Sequence, residues 1–139
     1  MGIETVSLTK KSSQTAPVLF SYLSEHENMA SLFSPAKVER VRDGHPYRNG
    51  VGSRRLVKMS PLPAIEETVT AFSENEFLEY RVTNFGPLKN HLGRMEFLQD
   101  GEGCTLKYTI RFESRIPLAG PLLREVLAGV IRRNLRSIR

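Results

Sequence analysis

The sequence predicts an α+β domain in which a seven-stranded antiparallel sheet closes on one long C-terminal helix. Three observations predict it. Between Lys37 and Arg115, turn-forming residues recur every eight to twelve positions, the spacing of consecutive hairpins. Within those runs apolar and polar residues alternate, which puts successive side chains on opposite faces of a sheet. An amphipathic stretch, Pro121 to Arg139, then closes the chain. A helix that follows a run of antiparallel strands has one large apolar surface on which to bury its stripe, the concave face of the sheet. That arrangement makes a pocket.

The first strand is expected over residues 3–11, where Val6 and Leu8 share a face with Glu4 and Lys10 and β-formers are dense. Thr15 is placed to cap a helix whose early Pro17 costs little, and Val18, Leu19, Tyr22 and Leu23 follow at helical spacing. Ser24 with Glu27 reads as a capping box for a second short helix over 25–33, which Pro35 ends. Asp43-Gly44, the Pro61–Pro63 stretch, Glu74-Asn75, Gly86-Pro87 and the turn from Asp100 to Gly103 then divide the chain. Six further strands are expected, at about 37–43, 51–59, 64–73, 76–84, 89–99 and 104–115.

Alternation assigns the faces. The inward sets are Ile65, Glu67, Val69 and Ala71; Leu78, Tyr80 and Val82; His91, Gly93, Met95 and Phe97; and Leu106, Tyr108, Ile110 and Phe112. Glu66, Thr68 and Thr70, like Lys107, Thr109, Arg111 and Glu113, are expected to face water. In the strand at 51–59, Arg54-Arg55 puts one arginine on each face whichever register holds. The closing helix repeats apolar residues at Leu123, Val126, Leu127, Val130, Ile131 and Ile138. Gly129 on its middle turns weakens it by roughly 1 kcal/mol against alanine, so a close neighbour is expected there.

Length and composition bound the function. At 139 residues, with 40% hydrophobic and 25% charged residues, the chain reads as a single ligand-binding domain over 1–139 with a core that needs no disulfide or metal. No apolar run reaches the length of a membrane span. The start, Met-Gly-Ile-Glu-Thr-Val, lacks the basic and apolar blocks of a signal peptide, and Val6 breaks the myristoylation pattern. With one cysteine, Cys104, and no base evident to activate it, a reducing, cytoplasmic setting is expected. Net charge is +5 and the isoelectric point about 9.7. The excess gathers at Arg132, Arg133, Arg136 and Arg139, where a helix dipole stabilises cations. No nucleic-acid partner is expected, although the same face would suit an acidic protein partner or another anion.

The segments "APVLFSYLSEHENMASLF" (16–33), "GVGSRRLVKM" (50–59), "IEETVTAF" (65–72), "YRVTNFGPLKNHLGRMEF" (80–97) and "GCTLKYTIRFE" (103–113), followed by a terminal helix, resemble the START-like (SRPBCC) superfamily. The likeness is to its polyketide cyclase/dehydrase-like branch and spans nearly the whole chain. It implies a helix-grip fold, with two short helices after the first strand closing one end. It also implies a cavity for a hydrophobic or amphipathic small molecule, lipid-like or polyketide-like; no cofactor is expected. Two features depart from the branch. Phe33 stands where its members often carry tryptophan, and the short terminal helix implies one open mouth.

The alternation that buries Ile65 and Val69 carries Glu67 inward as well. An unpaired carboxylate in an apolar cavity is driven toward its protonated form, which suits a general acid or base. A structural pair with Arg54 or Arg55 is the alternative. His91 either orients a ligand carbonyl and shuttles a proton, or sits half exposed at its strand's start. Tyr80 and Tyr108 either offer polar tips to a ligand or reach backbone carbonyls from the core. Glu67 and His91 are thus the candidate acid/base groups of a cyclase or dehydratase. The candidate ligand wall comprises Arg55, Glu67, Val69, Leu78, Tyr80 and His91, continues through Met95, Tyr108 and Ile110, and meets Leu123, Leu127 and Val130 of the helix. His26, His45 and His91 lack the spacing of metal ligands, and no GxSxG, Walker or GxGxxG pattern occurs.

Overall fold

Each described turn that punctuates the sequence closes an antiparallel pair in the computed structural model, which describes residues 2–59 and 63–139. The elements are β1 (Glu4–Ser12), α1 (Ala16–Ser24), α2 (His26–Met29) continued by a 3-10 turn (Ala30–Phe33), β2 (Lys37–Arg42), β3 (Arg54–Lys58) and β4 (Ile65–Ser73). They continue as β5 (Phe77–Val82), β6 (Leu88–Asp100), β7 (Gly103–Ser114) and α3 (Gly120–Leu135). All seven strands form one antiparallel sheet in the order β1-β7-β6-β5-β4-β3-β2. Asn75 and Gly101 take the left-handed conformation that their tight turns need. Of the expected Pro61–Pro63 turn, Pro61 and Leu62 lie outside the described residues.

Two bulges decide which side chains face inward. In β4, Val69 pairs with Tyr80 and Ala71 with Glu79, so the register shifts at Thr70. The expected inward Ala71 is therefore turned away, and Phe72, paired with Leu78, takes its place against Phe20. In β6, Asn90 and His91 together oppose Phe112, and Asn90 adopts a positive φ of 51°, which asparagine tolerates better than most side chains. The extra residue re-aims His91 to the concave face that Leu88 already occupies. Thr68 was expected in water, yet it is buried, holding Arg54 Nε at 3.1 Å and Thr83 Oγ1 at 2.9 Å.

Both short helices depart in detail from expectation. Thr15 caps α1 by accepting from Val18 N–H, but Val18 and Tyr22 are exposed, and the buried stripe is Ala16, Leu19, Phe20 and Leu23. The capping box does not form. Ser24 donates to Ser21 O instead, Glu25 is the cap residue of α2, and Glu27 is drawn off to Arg40.

In α3 the chain leaves helical geometry after Leu135, short of the expected Arg139, and Ile138 is buried from the following turn. Ala128, Ile131 and Leu135 form its fully buried stripe, while Val126 is about half exposed. The expectation of a close neighbour at Gly129 fails: it is exposed, and a Cβ there would meet nothing within 4 Å. The helix is held at both ends. Arg124 pairs with Glu4 at 2.9 Å, and Asn134 donates to Leu32 O and Ser34 O at 2.9 and 3.0 Å.

Candidate ligand-binding site

Sheet and helix separate into two regions. Under α1 the interior is packed: Phe20 meets Phe72 and Phe97 edge to face at 5.2 and 5.1 Å, among Leu23, Leu78, Met95 and Leu106, all almost wholly buried. Under α3 it is not. There a cavity of about 170 Å³ opens between helix and sheet. The helix contributes Leu123, Val126, Leu127 and Val130, the i, i+3, i+4, i+7 spacing of one helical face. Across from them stand Val57, Ile65, Leu88, Ile110 and Phe112 of the sheet, with Phe33 and Ala36 beside them.

Three polar side chains reach this apolar space: Glu67, Tyr80 and His91. Adjacent strands position them. Glu67 of β4 lies opposite Val82 of β5, and Val82 N–H donates to His91 Nδ1 at 3.1 Å. The neutral His91 ring therefore carries its proton on Nε2. Burial, then the charges of Arg55 and Arg81, hold its pKa below the ordinary 6.5, only partly offset by Glu67.

Behind this wall lies a buried polar cluster. Arg55 of β3, paired with Glu67 in the β3–β4 ladder, donates from Nε to Glu67 Oε1 at 2.8 Å with both side chains buried. Its guanidinium lies 4.7 Å from the Tyr80 ring centroid. Burial works against the Arg55 charge, but Glu67 and the tyrosine oxygens outweigh it, so its pKa is raised. The hydroxyls of Tyr80 and Tyr108 hydrogen-bond to each other, and burial pushes both phenols well up. Gly93, opposite Tyr80, leaves room for that ring; a Cβ there would overlap it.

Of the ligand wall expected from sequence, the cavity brings together Glu67, Tyr80, His91, Ile110, Leu123, Leu127 and Val130. It does not include Val69, Leu78, Met95, Tyr108 or Arg55, which are buried beside or behind it. The space ends where α1 packs on the sheet. Phe112 appeared in the sequence only as an inward residue, and Leu88 escaped because its bulge puts it out of phase with His91. His26 was also missed. It is buried, with Nε2 3.0 Å from Ser53 Oγ, which itself donates to Gly50 O. A histidine in a four-residue helix carries no pattern that marks it. Among the described residues no group of His, Cys, Asp or Glu is arranged to hold a metal.

A seven-stranded antiparallel sheet gripping a C-terminal helix, with two short helices after the first strand, is the architecture of START-like domains. The chain belongs to the polyketide cyclase / dehydrase and lipid transport family, whose model matches residues 4–139. Solved structures share the fold at low identity. A START superfamily protein from Mycobacterium smegmatis superposes with a TM-score of 0.74 at 19% identity, covering 96% of this chain and 92% of that one. A truncated norcoclaurine synthase from Thalictrum flavum gives 0.72 at 12% identity, with 96% and 91% covered. A protein from Thermus thermophilus gives 0.70 at 17% identity, with 96% and 90% covered. No curated protein sequence matches the chain.

Proposed function

We propose that this domain binds a hydrophobic or amphipathic small molecule, lipid-like or aromatic, in the cavity between the sheet and α3. The observation that carries the reading is the space itself, about 170 Å³ of mostly apolar surface with polar atoms at one side. Protein interiors are otherwise close-packed, so side chains facing an open space of this size lose dispersion contacts that packing would give. A ligand recovers part of that loss. Titration with fatty acids and aromatic compounds, followed by NMR, is expected to shift Tyr80, Leu127 and Val130. A full panel that leaves all three unmoved overturns the reading. The binder is taken to work in the cytoplasm, where its lone buried thiol, Cys104, stays reduced.

A cyclase or dehydratase activity is the second reading, favoured by Glu67 and His91 reaching one cavity from β4 and β6, the strands on either side of β5. It is the weaker one. A neutral histidine acts as a base through its unprotonated nitrogen, and in His91 that nitrogen, Nδ1, already accepts from Val82 N–H, while Arg55 holds one oxygen of Glu67. Turnover of a poly-β-ketone that His91→Gln abolishes without loss of binding would favour catalysis.

A further inference from the structure

We infer that the preferred ligand is a one-ring apolar body bearing a neutral hydroxyl, which donates to Glu67 Oε2 and accepts from the Nε2–H of His91. The inference deepens the binding reading above and rests on it. Its basis is what the cavity's polar atoms still lack. Glu67 spends Oε1 on Arg55 and His91 spends Nδ1 on Val82. Among the described residues neither Glu67 Oε2 nor His91 Nε2 has a hydrogen-bond partner, and neither is among the side-chain atoms sealed away from solvent. Tyr80 adds no free group, because its hydroxyl is buried against Tyr108.

The cavity therefore presents one acceptor, on a carboxylate, and one donor, on a neutral ring. A hydroxyl is the smallest group that answers both at once. A carboxylate has no proton for Glu67 and brings a like charge to it, while Arg55, the nearest countercharge, already pairs with Glu67 and is no part of the cavity wall; its Nη2, although unpartnered, is sealed from solvent. An alkylammonium answers Glu67 but leaves the Nε2–H of His91 unpaired. A hydrocarbon leaves both unpaired, and a buried unpartnered polar group costs about 1–3 kcal/mol. Size gives the rest. About 170 Å³ is close to the ~150 Å³ apolar cavity that accepts a benzene ring, and the apolar faces of Leu127, Val130, Ile110 and Phe112 stand where the ring would lie.

The test is an NMR titration of the full chain with three molecules of one shape: toluene, p-cresol and p-toluate. The expected order is p-cresol at least tenfold tighter than toluene, with p-toluate not binding measurably. His91→Phe is expected to shrink the preference for p-cresol over toluene, read as the ratio of their affinities within the variant, at least threefold, with Glu67 keeping the remainder. Comparison of the three ligands on the unaltered protein stands even if that variant does not fold. Equal binding of toluene and p-cresol, or p-toluate binding tightest, overturns the hydroxyl assignment and leaves the cavity as a binding site. Absence of any shift at Tyr80, Leu127 and Val130 with all three molecules and with the wider panel overturns the binding reading itself.

Discussion

Arg55 and Glu67 show how one pair can be indispensable without being a source of net stability. Both are buried, and taking two charges out of water costs about as much as their attraction returns. Deleting one partner strands the other. Arg55→Met is expected to destabilise the domain by about 3–5 kcal/mol, whereas the double variant Arg55→Met with Glu67→Leu should lie much closer to the unaltered protein. Urea unfolding of the three variants checks this, and a double variant as damaged as the single one would contradict it. Gly93 is a second point of intolerance, since the Tyr80 ring fills the place of its side chain. Gly93→Ala should cost about 1–3 kcal/mol by overpacking, seen as a lower urea midpoint. Tyr80→Phe should not relieve that cost, because the ring rather than the hydroxyl blocks the Cβ.

Among the elements, α3 carries the clearest contrast with Gly93. Gly129 is exposed, with open space where its Cβ would go, so Gly129→Ala should raise stability by about 1 kcal/mol through helix propensity alone. Thermal unfolding measures it, and no ligand-titration shift should change. The sequence missed this because a glycine inside an amphipathic pattern signals close contact or mere weakness alike. Strand faces were legible where pairing is regular: the Leu106-to-Phe112 alternation in β7 is buried throughout, since period two survives from sequence to sheet. They were lost at bulges. Nothing in Val69-Thr70-Ala71 announces the shift that turns Phe72 inward in place of Ala71. Arg55 was legible only as one of two, because the inward choice is made by its pairing with Glu67. The boundary between cavity and packed core was hidden for a further reason. It depends on where α1 and α3 rest on the sheet, and no single element encodes that.

At the scale of the whole molecule, the polar residues buried under the sheet make stability depend on acid. His26 lies within reach of the charges of Arg55, Arg40 and Arg48, with Glu27 opposing them; burial first, then Arg55 and Arg40, lower its pKa from 6.5 to about 3. His91 is lowered too, again chiefly by burial. Each is neutral in the folded chain while the unfolded chain takes up a proton near pH 6.5. Below that pH the unfolded state binds more protons, so stability falls as pH falls, at up to about 1.4 kcal/mol per pH unit for each histidine. For His26 the fall continues until the folded state is itself protonated near pH 3. Glu27, held down to about 2 by its hydrogen bond to Arg40, acts in the same sense, but its window opens only below about 4.5. Well above pH 6.5 none of these groups contributes a slope. Urea unfolding at pH 7, 6 and 5 should therefore show a progressive loss that begins before any carboxylate titrates. His26→Gln, whose side-chain amide can still donate to Ser53, should flatten the loss between pH 6 and 5 by about half if His91 supplies the remainder. A stability unchanged from pH 7 to 5 would mean that both rings take up protons as readily in the folded domain as in the unfolded chain, so that by pH 5 the hydrogen bond from Val82 N–H to His91 would be lost.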